Sequence, residues 1–490
     1  MMIGIDFGTT NSGVAFWTPN GTYMIEVAGR QETMPSAVAQ TKDGFVRGKD
    51  ALAQLDANPD FTFRAVKRYL GRDFNEQEHG HFQLAEGPDG KVWWRGRDQL
   101  IAGPVLVAEI LKSLLIAAES HLKRKPSGAV IAHPIDFTPD QKKALIEAAK
   151  LAGLERIELF EEPYAAALSF GIGLKDFSRV AVYDLGGGTF DATILHMKNS
   201  VTAPAGMSGI GFLGGTDFDA RLVEYCADRF FKEYGEDIRA RRHCMVRVQK
   251  EAERVKIALS DDEKVTLYVP DLVAVPSRGF VSMKYEITRS QFEELTKDLV
   301  ARTMTALQDA LKQADLGKRE IEHVLLIGGQ SRMPLIRRVV GKFFGDDRKI
   351  APGPHPEYAV ALGAAIKAAE EDGRKPKGVL ERIAPATTGL MRYGGAFVPV
   401  IPKGEKFPAS RTVEITASRD GQELLEIAVY QGEAPAAADN DLVFTHTLSV
   451  EPKPADDVTI AVVFEIDAGG LLTVSAGGEV VYGIKQEAAA

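Results

Sequence analysis

The stretch Ile5–Trp17, IDFGTTNSGVAFW, sets the frame for the whole chain. It reads as an apolar strand carrying Asp6, a tight bend at Gly8-Thr9-Thr10-Asn11, and a second apolar strand. A two-residue hairpin would use Asn-Gly or Asp-Gly. A carboxylate, a glycine and two hydroxyls at the bend therefore call for another reason. The plan recurs at Val180–Leu195, VAVYDLGGGTFDATIL: a strand with Asp184, the turn Gly186-Gly187-Gly188-Thr189, then a strand with Asp191. Two related halves facing each other follow from the repeat. A chance likeness between two hairpins is the plainer alternative.

Phosphate loops of the P-loop and dinucleotide types run from a strand into a helix. Both turns here run from strand into strand. No G-x-x-x-x-G-K-[ST] occurs, and GIGFLG (Gly209–Gly214) follows a glycine- and serine-rich stretch rather than a clear strand. The two turns can still hold phosphate, because glycine lets backbone N–H groups converge into an anion nest. Thr9, Thr10 and Thr189 add hydroxyl donors. Asp6 and Asp184 would repel bare phosphate, and they make sense with a Mg²⁺ between them and the phosphates. One metal-bound polyphosphate, part of one nucleotide, would then lie between the turns. Aspartates that only cap tight turns are the alternative.

The totals fit this reading without deciding it. A chain of 490 residues exceeds one ordinary core, so two or more domains are expected. A net charge of −9 gives no support for nucleic-acid binding. Cys226 and Cys244 make neither a disulfide framework nor a zinc site and read as reduced. No signal peptide or membrane-length apolar stretch is read, so the cytoplasm is the expected location. Residues 1–375 alternate strand-like and helical runs. Thr138, Pro139 and Gln141 open one helix with a capping-box spacing, Gly153 ends it, and Leu145, Ala148, Ala149 and Ala152 are its buried stripe. Pro104 opens another helix. After the polar connector DGRKPKG (Asp372–Gly378) the period changes to two: Val413 and Ile415, then Leu425, Ile427 and Val429, then Ile460, Val462, Phe464 and Ile466. This predicts a small all-β domain, with a frayed tail at 486–490. His79 and His81 lie in a polar loop, where metal binding is the weaker reading.

Six motifs then occur in one order: IGIDFGTTNS, FRAVKRYLGR, EEPYAAALSFG, VYDLGGGTFDATIL, EAERVKIALS and VLLIGGQSRMPLIRR. Through them residues 1–375 resemble the ATPase domain of the heat shock protein 70 chaperone family. Residues 385–485 resemble its β-sandwich peptide-binding domain through YQGE and FEIDAGGLLTVSA. The resemblance implies an α/β fold: a duplicated actin-like (ribonuclease H-like) ATPase domain, a linker at 376–384, and a small β-sandwich. It implies ATP or ADP and Mg²⁺ as cofactors, with K⁺ left open, and extended or unfolded peptide as partner. It implies that Asp6 and Asp184 organise the metal. Gly8, Thr9, Thr10, Asn11, Gly186, Gly187, Gly188, Gly214 and Gly215 would wrap the phosphates. Lys67 would reach the γ-phosphate, Glu162 the metal's water shell, and Thr189 and Asp191 the attacking water. Read from the sequence alone, Lys67 is a solvated lysine. Glu253, Lys256 and Ser260 share a helical face, read alone as an exposed ion-pair face and by resemblance as adenosine contacts. Gly328, Gly329, Gln330 and Arg332 resemble the second adenosine wall, with Arg332 stacking on the base. Glu357 stands where the family has aspartate.

Three departures bear on function. The sequence is expected to lack the helical lid over the peptide groove. Glu381 and Arg382 interrupt the linker, GVLERIAP, which is leucine-rich in the family. Glu158 reverses the charge of a residue that J-domain partners use, which puts that contact in doubt. The reading is an ATP-hydrolysing, chaperone-like protein without a lid. Alternatives are a nucleotide-dependent regulatory or partner-binding module and, more weakly, a small-molecule kinase.

Overall fold

The structure is a computed structural model. It describes the chain except residues 28, 30, 56, 76–82, 172–177, 199–200, 276–277, 346–348, 352, 375–380, 383, 385, 393, 407, 467–471 and 484–490. His79, His81, most of the linker and the tail fall outside the described residues. So do the side chains of Glu381 and Arg382.

The fold is mixed α/β with several sheets. Two of them hold the site, and they share one plan. In the first, Met2–Phe7 pairs antiparallel with Asn11–Thr18, which pairs with Gly21–Met24. On its other side Met2–Phe7 runs parallel to Gly128–His133, and that strand to Ile157–Glu161. In the second, Ser178–Leu185 pairs antiparallel with Phe190–Lys198, which pairs with Val201–Ile210. Its other neighbour is His323–Ile327, again parallel. Parallel central strands are covered on both faces, which is why MIGIDF and VAVYDL read as near-continuous apolar runs.

Two alanine-rich helices, Glu162–Phe170 and Ala359–Glu371, fill the space between the sheets. One core cluster joins Met2, Val130 and Phe160 of the first sheet to Val180, Val182 and Leu325 of the second through Ala165, Ala166 and Ala364. The approach is close. A Cβ on Gly4 would lie 2.1 Å from the Ala365 nitrogen, and one on Gly363 would lie 1.7 Å from the Ala165 carbonyl oxygen. The outer faces carry longer helices. Gly103–Leu122 and Pro139–Leu151 pack on the first sheet, and Gly215–Tyr234, Arg242–Ala258 and Arg289–Gln313 on the second. Pro139–Leu151 begins with the reciprocal Thr138–Gln141 capping box, and Ala144, Leu145, Ala148 and Ala149 are buried, while Ala152 is only half-buried. Cys226 and Cys244 are free and lie in the second core.

Toward the C-terminus two four-stranded antiparallel sheets share one core of Leu390, Ile401, Ile427 and Val429 against Val462, Phe464 and Val474. Glu381–Arg382 runs parallel to Val201–Thr202 at the edge of the second site-bearing sheet, so part of the linker is a strand of that sheet. No helix among the described residues is long and apolar enough to cross a membrane.

Candidate functional site

The bends at Gly8–Thr10 and Gly186–Thr189 touch. A Cβ on Gly187 would lie 1.9 Å from Thr10 Oγ1, and one on Gly188 would lie 2.6 Å from Thr9 Cγ2. The first bend is braced by Ser36, whose hydroxyl donates to the Gly8 carbonyl at 2.7 Å and whose N–H donates to the Thr10 carbonyl at 2.7 Å. Behind the second bend lies Gly214, where a Cβ would be 2.4 Å from the Gly188 nitrogen. Gly215 and Thr216 donate N–H bonds to the carbonyls of Gly186 and Gly187, each at 2.9 Å.

This corrects the reading of GIGFLG. The stretch Val201–Ile210 is a strand, and Gly214 is the N-cap of the helix Gly215–Tyr234. Glycine, serine and proline gave that strand little propensity of its own, and it is held by pairing along Phe190–Lys198. A helix N-terminus, with its partial positive charge, therefore opens against the second turn.

A cleft of about 1260 Å³, counted out to its open mouth, lies over the two bends. Asp6, Glu162 and Asp184 are on its floor with Lys67. Lys67 is buried and its Nζ donates to Glu162 Oε1 at 2.5 Å, so the solvated-lysine alternative is overturned. Burial pushes the Asp6 carboxyl up to about 7, with Glu162 adding and Lys67 opposing. Burial, then Glu162, also raises Asp184 well above the carboxylate range. Burial pulls the Lys67 ammonium down, but Glu162, Asp6 and Asp184 outweigh it and hold it above the ordinary lysine value. Among the described residues neither Asp6 nor Asp184 makes a side-chain hydrogen bond, so neither has turn-cap geometry.

Asp6, Glu162 and Asp184 bring together more acid than the one Lys67 ammonium can balance. The raised Asp6 and Asp184 carboxyls register their burial and that crowding, and a divalent cation would relieve the crowding. No group of three or more His, Cys, Asp or Glu among the described residues could hold a metal alone. A cation among these carboxylates would need ligands from elsewhere, as Mg²⁺ does when it keeps several waters and takes phosphate oxygens.

The rest of the cleft comes from distant segments. Glu253 and Lys256 reach it from Arg242–Ala258, and Ser260 follows that helix. Lys256 Nζ lies 3.0 Å from Asp219 Oδ2 and 3.1 Å from the Gly215 carbonyl, which ties this wall to the helix start behind the second turn. Opposite are Gly328, Gly329, Gln330, Arg332 and Glu357. Gly328 has φ +78°, and a Cβ there would lie 2.6 Å from Asp184 Oδ1. Arg332 lies 3.9 Å from Glu357 and 3.6 Å from Asp261. Gly8, Thr9, Thr10, Asn11, Gly186, Gly187, Thr189 and Gly215 also line the cleft.

Three expected residues do not. Gly188, within the second turn, packs against Gly214 behind it and Thr9 of the first turn, and Asp191 lines a smaller neighbouring cavity. Several lining residues escaped the sequence reading: Arg289, Phe292, Ile257 and Met333. Arg289 Nε donates to the Leu259 carbonyl at 2.8 Å and so fixes the chain beside Ser260. Arg68 was also missed; it donates to the Gly188 carbonyl and lies 3.5 Å from Asp217. Its place next to Lys67 was the only available signal. A family model described as Hsp70 protein matches residues 2–489 of the chain.

Proposed function

The chain belongs to the Hsp70 family, and from that premise we propose that it is a slow, Mg²⁺-dependent ATPase that couples nucleotide to the holding of extended peptide. Residues 1–375 are read as a duplicated actin-like domain, which the shared strand plan of the two sheets supports. Residues 385–485 are read as a β-sandwich that takes peptide, and 376–384 as the linker. The observation that carries the proposal is the buried Lys67–Glu162 pair set between two touching, acid-bearing turns.

In this reading Thr9, Thr10 and the backbone N–H groups of Gly186, Gly187 and Gly215 hold the phosphates. Lys67 presents its ammonium where charge grows on the transferring phosphoryl group, the term that dominates such reactions. Glu162 fixes Lys67 and, with Asp6 and Asp184, would hold Mg²⁺ through its waters. When bound, that ion neutralises phosphate charge. Thr189 and Asp191 orient the attacking water. Glu253, Lys256, Ser260, Arg332 and Glu357 hold the adenosine.

Steady-state turnover with and without EDTA, and with a panel of unfolded peptides, tests the proposal. Slow turnover, abolished by EDTA and raised by peptide, is expected. Tight Mg-ATP binding with turnover indifferent to peptide would instead favour the partner-binding module.

A further inference from the structure

Behind the nucleotide cleft lies a second cavity of about 410 Å³, counted out to its mouth. Thr9, Lys67 and Thr189 line both spaces, so they meet where the proposed function puts the transferring phosphoryl group. The rear cavity shares none of the adenosine-side residues. It runs instead toward half-buried Arg72 and exposed Asp136 and Gly211 at the surface.

The cations on its walls differ. Lys67 is committed to Glu162, and Arg68 to the Gly188 carbonyl, to Thr216 Oγ1 at 3.3 Å and to Asp217 at 3.5 Å. Among the described residues the Arg72 guanidinium makes no hydrogen bond or ion pair, and its Nε is buried without a partner. Its carbon lies 6.0 Å from the Phe212 ring centroid, a contact that places the group without neutralising it. A buried donor left unpaired is costly. The Arg68 Nε is in the same position, and Arg72 differs in that its terminal nitrogens too have no protein acceptor among the described residues, whereas those of Arg68 do. Asp136 and Asp191 share the cavity and weaken its pull on an anion. The balance suits a ligand held briefly.

We propose that this cavity is a rear orthophosphate site: phosphate cleaved from ATP departs on the side away from the adenosine and is held in passing by Arg72. The inference rests on the ATPase reading. The test is titration of inorganic phosphate onto the ADP-loaded full chain, wild type against Arg72→Gln and Arg72→Lys, with acid-quench single turnovers in parallel. Losing a charged hydrogen bond predicts phosphate affinity about tenfold weaker in Arg72→Gln. Arg72→Lys keeps most of the affinity, and ATP affinity and cleavage rate stay unchanged in both. Equal phosphate affinity in wild type and Arg72→Gln overturns the site. So does a matching loss of ATP affinity and cleavage, which would make Arg72 part of the nucleotide site. A wild type that cleaves no ATP defeats the ATPase reading alone, and the phosphate titration still decides the anion site.

Discussion

The bends at Gly8–Thr10 and Gly186–Thr189 follow one backbone plan and do different work. Each joins an antiparallel pair whose first strand also runs parallel to a third. The first bend carries side chains: Thr9, Thr10 and Asn11 project from it. The second carries almost none, and the Thr10 hydroxyl occupies the space that a side chain on Gly187 would need. One turn thus offers hydroxyls and the other bare backbone, and a helix start closes behind the bare one. Two halves with equal turns could not approach this closely. The asymmetry is what lets them share a single ligand-sized space.

The largest expected effect lies on the floor between the turns. Lys67→Ala should leave ADP binding largely intact and slow cleavage about 10²–10³-fold, or roughly 3–4 kcal/mol, since one positioned charge is lost from the transition state. Acid-quench single turnovers measure it, and an unchanged rate removes Lys67 from the chemistry.

The comparison itself breaks under paired substitutions. Gly187→Ala should cost about 1–3 kcal/mol of stability by overpacking and weaken ATP binding. Adding Thr10→Gly should restore much of the stability, because the obstacle is the facing turn, but not the ATP binding, because Thr10 itself faces the cleft. Gly8→Ala should gain nothing from Thr10→Gly, because its added Cβ would lie 2.1 Å from the Asn11 carbonyl of its own turn. Thermal melts and ATP titrations of the four chains decide this. Equal rescue of both alanines would mean that the turns are not in contact.

The smallest effect lies where Arg242, at the start of the helix carrying Glu253 and Lys256, pairs with Asp60. Both side chains are about half exposed, at 47% and 58%, so the pair is worth roughly 0.2–1 kcal/mol. Arg242→Ala should speed ADP release by up to about fivefold at low salt and less at high salt. A release rate insensitive to the substitution at every ionic strength would separate this pair from the cleft.

Much of this was legible before any coordinates. The Thr138–Gln141 capping box, the strand–acid–turn units and the two-residue period of the C-terminal sheets are local patterns, each written within a few residues. The strand Val201–Ile210 was not legible, because its residues have little strand propensity and its pairing partner supplies the order. Lys67 was misjudged for a related reason. Its burial depends on Glu162, 95 positions away, and no periodicity reports a partner that distant. The sequence by itself determined which residue types stand at each bend and which faces are apolar, since side-chain direction follows backbone period. Only the tertiary structure decided that the bends touch, that Gly188 and Gly214 pack beneath the site rather than line it, and that among the described residues Arg72 stands without a paired acid while Lys67 and Arg68 have theirs. Those facts depend on the distance between segments, which the packing of Glu162–Phe170 and Ala359–Glu371 between the sheets fixes.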